Sequence, residues 1–264
     1  MSESQNPKLL ILVDAGNTNT VFGVYRGDDL VGSMRLATEG KRTADEYVAL
    51  LLPLFQRAGL EPSEAEAVLI SSVVPPLRGT LDHLSRRLFG LAPTFVDAAT
   101  HTGIEVHYDN PAEVGADRIV NAVAALERYG APVVVVDFGT ATTFDVVDDT
   151  GAYIGGIIAP GASISAEALF AKASRLYRVD ICRPPELIGR TTATAMQSGI
   201  YYGYIGLVDG ILERLKAELP GLRTVVATGG LAELISGDCR HIDSVDQMLT
   251  LAGLKLIYER SRTR

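Results

Sequence analysis

Cysteine is scarce in this chain: among 264 residues only Cys182 and Cys239 carry a thiol, far apart and in no CxxC pair. That excludes a disulfide framework and a zinc knuckle, and it points to a reducing, cytoplasmic setting. Positive charge is in deficit as well. With 24 Lys and Arg against 32 Asp and Glu, the net charge is -8 and the pI lies near 5.1. Neither nucleic acid nor an anionic membrane surface is expected as a partner, and an anionic ligand must be held by local donors. No apolar run reaches the roughly 20 residues that span a bilayer. The polar start from Met1 to Lys8 lacks the basic-then-apolar order of a signal peptide. What is present is ordinary globular material, 47% hydrophobic and 21% charged with 26 glycines. It suits a soluble protein of one large domain or two small ones.

Apolar runs and turn residues lay out two similar halves. Leu9–Val13 reads as a buried strand stopped at Asp14-Ala15-Gly16-Asn17, and Val21–Tyr25 and Leu30–Leu36 follow around a Gly27-Asp28-Asp29 turn. Thr43 caps a helix whose apolar face holds Tyr47, Leu50, Leu51, Leu54 and Phe55. Ala67–Val74 is a fourth strand ended by Pro75-Pro76, then come a helix through Leu81, Leu84 and Leu88 and a short strand at Thr94–Val96. Beyond the polar stretch Thr100–Glu113, a helix over Asp117–Arg128 leads into strands at Val133–Asp137, Ala141–Val147 and Tyr153–Ile158, repeating the opening. A long helix over Thr192–Leu219, a strand at Arg223–Ala227 and a helix over Asp246–Arg260 close the chain.

The halves share residues as well as a pattern. Residues 14–20 read Asp-Ala-Gly-Asn-Thr-Asn-Thr and residues 137–143 read Asp-Phe-Gly-Thr-Ala-Thr-Thr. Asp-x-Gly alone is a common turn, but aspartate, glycine and hydroxyls at matching offsets and in matching strand contexts favour a duplication. Such a turn exposes consecutive amides, its glycine admits a phosphate, and its threonines add donors. Two of them facing each other across a cleft clamp a polyphosphate. The chain has no GxxxxGK[ST] loop and no protein-kinase motif set to do that work otherwise. The aspartate ending each first strand offers oxygen to a hydrated cation. Late in the chain, Val225–Ala232 runs an apolar strand into Gly229-Gly230, bare backbone on which an adenine ring can lie.

Two phosphate turns followed by a late Gly-Gly resemble the superfamily of acetate and sugar kinases, Hsp70 and actin. Within it the chain is similar to the type III pantothenate kinases. The similarity runs through Asp14-Ala15-Gly16-Asn17-Thr18, Ser71-Ser72-Val73-Val74-Pro75, Tyr108-Asp109-Asn110-Pro111 and Gly115-Ala116-Asp117-Arg118. It continues through Asp137-Phe138-Gly139-Thr140-Ala141-Thr142, Gly155-Gly156, Pro160-Gly161, Met196-Gln197-Ser198-Gly199 and Tyr202-Gly203-Tyr204, in family order over nearly the whole chain. At Gly189-Arg190-Thr191-Thr192 the chain departs, since the family usually has asparagine before the threonine.

The resemblance implies a duplicated actin-like (ribonuclease H-like) two-domain α/β fold, with domains at 1–114 and 115–264 and an interdomain active-site cleft. It implies ATP-dependent phosphorylation of pantothenate to 4'-phosphopantothenate, the first step of coenzyme A biosynthesis. Carried over, Asp14, Ala15, Gly16, Asn17, Thr18, Asn19, Thr20 and Val21 would hold the ATP phosphates, with Asp14 facing Mg2+, and Thr140 would also contact ATP. Tyr108, Gly115, Ala116, Asp117, Arg118 and Thr192 would hold pantothenate, with Asp117 as the catalytic base. Asp137 would bind a monovalent cation, K+ or NH4+. The family is dimeric, with the substrate pocket near the interface, so a homodimer is expected.

Several of these residues also have plainer uses. Asp117 suits a helix start through the dipole, Arg118 a solvated helix surface, Tyr108 simple packing and Thr192 an N-cap. His101 and His107 flank a loop without the spacing of a metal site, and both cysteines read as structural or incidental. Over Met196–Leu215, Gly199, Gly203, Gly206 and Gly210 admit a second helix, either from this chain or from a partner copy. The rival functions are an actin-like nucleotide switch, a regulatory homologue without kinase activity, and a sugar kinase or repressor. A switch has no need to keep Asp117, Arg118 and Tyr108 together, and the sugar-kinase reading lacks its zinc cysteines and a DNA-binding segment.

Overall fold

The computed structural model describes residues 8–97, 100–173 and 176–263. They fall into two compact units, one from Met1–Gly103, Asn110–Val120 and Thr250–Arg264, the other from Ile104–Asp109 and Asn121–Leu249.

The first unit begins with β1 (Leu9–Ala15), β2 (Asn19–Arg26) and β3 (Asp29–Ala37). Helix α1 (Ala44–Arg57), β4 (Ala65–Ser72), α2 (Arg78–Leu88) and β5 (Thr94–Phe95) follow. Its sheet runs β3-β2-β1-β4-β5, with antiparallel pairs around β2 and parallel pairs from β1 to β5. Burial on both faces is why β1 is a continuous apolar run without alternation. Ile11, Val13 and Phe22 pack with Tyr47, Leu51 and Phe55 of α1 and Leu81 and Leu84 of α2. Thr43 starts α1 as its sequence suggests. The hydroxyl accepts the Glu46 amide at 3.3 Å and the Glu46 carboxylate accepts the Thr43 amide at 2.7 Å, a reciprocal cap worth about 1 kcal/mol.

Helix α3 (Ala116–Tyr129) precedes β6 (Val133–Phe138), β7 (Ala141–Val147), β8 (Tyr153–Pro160) and α4 (Ala162–Lys172). Then come α5 (Thr192–Glu218), β9 (Thr224–Thr228), α6 (Ala232–Ser236) and β10 (Ser244–Val245). The second sheet runs β10-β9-β6-β7-β8, the same order in its own numbering as the first. Val134, Val136, Phe144 and Val146 pack with Ile200, Tyr204, Val208 and Leu212 of α5 and with Ile235 of α6.

The closing helix α7 (Leu249–Arg262) belongs to the first unit from Thr250 onward. Lys255 donates to Asp28 at 2.8 Å, Tyr258 to Glu66 at 3.2 Å, and Arg260 to the Thr102 carbonyl at 2.8 Å. This division of the chain differs from a single cut after residue 114: residues 104–109 belong to the second unit, residues 115–120 to the first, and α7 returns to the first through these long-range contacts. Helix α7 starts later than the expected Asp246, since the Asp246 carboxylate accepts the Met248 amide at 3.0 Å and holds a turn there. Strand β4 ends at Ser72 rather than Val74, giving way to a 3-10 turn at Pro75–Leu77. Periodicity did not announce α4: Ile164, Leu169 and Phe170 are exposed on it, so no single apolar stripe marks a core face. Among the described residues no helix is long and apolar enough to cross a membrane.

Candidate active site

In the first unit, β1 delivers Asp14 to the end of the sheet and the chain turns through Gly16-Asn17-Thr18 into β2. The Gly16 amide donates to the Asn19 carbonyl at 3.0 Å, and Asn17, Thr18 and Asn19 are exposed. The turn is fastened to the end of β3 by the Thr38 amide on the Thr18 carbonyl, 2.9 Å, and by the Thr20 and Thr38 hydroxyls, 2.8 Å apart. The result is a rigid turn whose tip meets solvent.

One residue links this turn to the loop before α3. The Val73 amide donates to the Ala15 carbonyl at 3.1 Å. A β-carbon at Gly115 would stand 3.5 Å from Val73 Cγ1 and only 2.6 Å from Asp117 Oδ1. Gly115 therefore lies against the strand end, and its missing side chain leaves room for the Asp117 carboxylate. That carboxylate accepts the Arg118 amide at 2.8 Å in the first turn of α3. Arg118 is 8% exposed, which removes the reading of a solvated helix charge. Asp117 and the Asp14–Val21 turn thus sit at the same end of the first sheet.

In the second unit, β6 delivers Asp137, and Gly139-Thr140 turns the chain into β7. Asn121 Nδ2 donates to Asp137 Oδ2 at 3.2 Å. Gly229 lies on the other carboxylate oxygen: its φ is +93°, and a β-carbon there would stand 2.5 Å from Asp137 Oδ1 and 2.7 Å from the Phe138 carbonyl carbon. Both its backbone angle and this approach require glycine. The late Gly-Gly is therefore seated on the second aspartate turn, while Gly161 packs its bare backbone against Thr140. Asn121 escaped the sequence reading. Its signal was a single amide inside the apolar run Ile119-Val120-Asn121-Ala122-Val123, 1% exposed, where a polar group is kept only for a partner.

Tyr108 lies in the Ile104–Asp109 segment of the second unit, 37% exposed, with its ring 6.5 Å from that of Tyr153. It is packed on one side and open on the rest. Thr192 is not the N-cap of α5. Thr191 takes that place, accepting the Thr194 amide at 3.1 Å, and Thr192 follows as an exposed first-turn residue. Cys239 is no nucleophile: burial, then the charges of Asp209 and Asp238, push its thiol up to about 12.

Comparison with known proteins shows the family. The sequence profile of the type III pantothenate kinase family matches residues 10–214. A protein from Geobacter sulfurreducens named type III pantothenate kinase is 54% identical over 96% of this chain and 100% of its own length. One of the same name from Myxococcus xanthus is 53% identical over 96% of this chain and 99% of its own. Among solved structures, a Campylobacter jejuni protein assigned to a Baf family of transcriptional activators superposes with a TM-score of 0.60 at 19% identity, covering 96% of this chain and 100% of that one. Component A of the (R)-2-hydroxyglutaryl-CoA dehydratase of Acidaminococcus fermentans gives 0.55 at 13% identity, covering 97% and 100%. At such identities these two likenesses carry the fold alone, an α/β fold of two units with a five-stranded mixed sheet in each. The chain belongs to the type III pantothenate kinase family, the ATP-dependent enzymes that phosphorylate pantothenate in the first step of coenzyme A biosynthesis.

Proposed function

We propose that phosphoryl transfer to the primary hydroxyl of pantothenate is carried by the Asp14–Val21 turn and the Asp117 loop. The observation behind this reading is the Val73 link, which ties both to one end of one sheet. Asp14, Ala15, Gly16, Asn17, Thr18, Asn19, Thr20 and Val21 hold the ATP phosphates through amides and hydroxyls, and Thr140 adds a further contact. The pantothenate oxygen bonds to the γ-phosphorus, the bond from that phosphorus to the bridging oxygen breaks, and ADP leaves. Asp117 accepts the hydroxyl proton. A loose transition state asks for aim rather than strong basicity, and the amide of Arg118 aims this carboxylate. Gly115, Ala116, Tyr108 and Thr192 contact the substrate, and Arg118 pairs with its carboxylate.

The donors suit hard cations. Asp14 lies in register with Ser71 on β4, whose buried hydroxyl has no hydrogen-bond partner among the described residues. A carboxylate beside a spare oxygen is the ligand chemistry that magnesium takes, and the bound ion offsets charge on the phosphates. Asp137, flanked by Asn121 and Gly229, holds a potassium or ammonium ion.

The active form is a cytoplasmic homodimer. Helix α5 buries Ile200, Tyr204 and Val208 in its own unit, yet Gly199, Gly203 and Gly206 are exposed and, among the described residues, nothing beyond the helix's own backbone and the adjoining residues lies within 4 Å of where their β-carbons would be. Each interior glycine costs a helix about 1 kcal/mol, and a partner helix gives that stripe a use.

A coupled ADP-release assay over pantothenate and a panel of small hydroxylated acids and sugars tests the reading. ADP release that rises only with pantothenate is expected. Release indifferent to pantothenate would favour a nucleotide switch instead.

A further inference from the structure

Tyr108 rests on a constructed platform. Residues 105–107 are sewn to the start of β8: the Tyr153 amide donates to the Glu105 carbonyl and the His107 amide to the Tyr153 carbonyl, both at 2.8 Å. At the same place the β7–β8 register slips between Val146 and Val147, so that Val146 pairs with Gly155 and Val147 with Tyr153. Ile154 is the extra residue of a β-bulge, a device that re-aims neighbouring side chains. Gly155 has φ +118°, and a β-carbon there would stand 3.4 Å from Tyr108 Cε2 and 3.6 Å from Cδ2. The Tyr108 ring therefore lies along bare backbone that only glycine supplies.

The second surface under Tyr108 is the Tyr153 ring, inclined at 42° to it and fully buried. Its hydroxyl donates to Asp145 Oδ1 at 3.0 Å, and Thr143 donates to Oδ2 of the same carboxylate, also at 3.0 Å. Asp145 is 0% exposed. A carboxylate is expensive to bury and is kept where its hydrogen bonds hold something in place. Here they fix the long axis of Tyr153, and with it the surface offered to Tyr108.

We infer that Asp145, Tyr153 and Gly155 are positioning residues for pantothenate, acting by fixing the ring of Tyr108. The inference rests on the reading that Tyr108 contacts pantothenate. None of the three touches the reacting atoms. The carboxylate holds the Tyr153 hydroxyl, Tyr153 and the glycine bulge hold the Tyr108 ring, and the ring meets the substrate. Tyr153→Phe frees one end of the platform, while Gly155→Ala strains the bulge at φ +118° and so disturbs the backbone on which the ring lies.

Full steady-state kinetics and thermal melting of the whole enzyme carrying Tyr108→Ala, Tyr153→Phe, Gly155→Ala and the double variant Tyr108→Ala/Tyr153→Phe test this. Tyr153→Phe and Gly155→Ala are expected to raise the pantothenate KM by about three- to tenfold, more than they lower kcat, with the KM for ATP within about twofold. In the Tyr108→Ala background, Tyr153→Phe should add almost nothing, because the ring it positions is gone. A purely structural role would lower melting and activity equally in both backgrounds, and that result would overturn the inference. So would an unchanged pantothenate KM in Tyr153→Phe while Tyr108→Ala raises it. If Tyr108→Ala itself leaves that KM unchanged, the substrate role of Tyr108 fails and the platform fails with it. Should Gly155→Ala not fold, Tyr153→Phe alone decides.

Discussion

Each sheet places an aspartate at the end of its central strand beside a hydroxyl residue on the parallel neighbour: Asp14 with Ser71 in the first, Asp137 with Thr228 in the second. The surroundings then diverge. After Asp14 the turn is open, with Asn17, Thr18 and Asn19 exposed and their backbone anchored from behind by Thr38. Asp137 is half-buried like Asp14, but its carboxylate is braced on both sides, with Asn121 on one oxygen and the backbone of Gly229 against the other. One scaffold, used twice, supports an open cradle suited to a polyphosphate and a carboxylate braced on both oxygens, suited to a small ion. On the proposed reading, the chemistry follows what surrounds each aspartate rather than the aspartate itself.

Asp117→Asn attacks the open side of this comparison and carries the largest expected effect. The variant keeps shape and hydrogen bonding but cannot take the proton, so kcat should fall about 10²- to 10⁴-fold, with ATP binding and melting temperature near wild type. Turnover within a few-fold of wild type would make Asp117 structural and break the link between the open turn and the reaction. Gly229→Ala attacks the braced side. Its side chain would collide with Asp137 at a φ of +93°, so stability should drop by about 1–3 kcal/mol. The response to potassium should weaken while the magnesium response stays. A smaller effect on activity is expected from Gly203→Leu, which fills the open face of α5. Light scattering should show a shift from dimer toward monomer, and an intact dimer would move the interface elsewhere.

How much of this the sequence discloses depends on the range of the interaction. Strands β1 and β6 and both aspartate turns follow from apolar runs ending in Asp-x-Gly, and Thr43 with Glu46 announces α1, because those signals are local. The return of α7 to the first unit rests on contacts such as Lys255 with Asp28, across the length of the chain, which no local pattern encodes. For the same reason the seating of Gly229 on Asp137 is visible in the sequence only as an order of motifs. Asp145 is hidden in another way: in a β-strand it reads as an ordinary outward polar residue, and only the pairing of β7 with β8 puts Tyr153 over it. The Thr191 cap shows the limit of single-residue reading, since the sequence reading puts Thr192 in that place and the Thr194 side chain and amide select Thr191.

Parallel magnesium and potassium titrations of Asp14→Asn and Asp137→Asn, with pantothenate-dependent ADP release as the readout, test the contrast between the two turns directly. Asp14→Asn should raise the magnesium needed for half-maximal activity by roughly tenfold or more and leave the potassium midpoint unchanged. Asp137→Asn should abolish the rise in activity from sodium to potassium buffer and leave the magnesium midpoint in place. If both variants shift the same cation, or neither shifts either, the two aspartates do not divide the ions between them and the account is wrong at its centre.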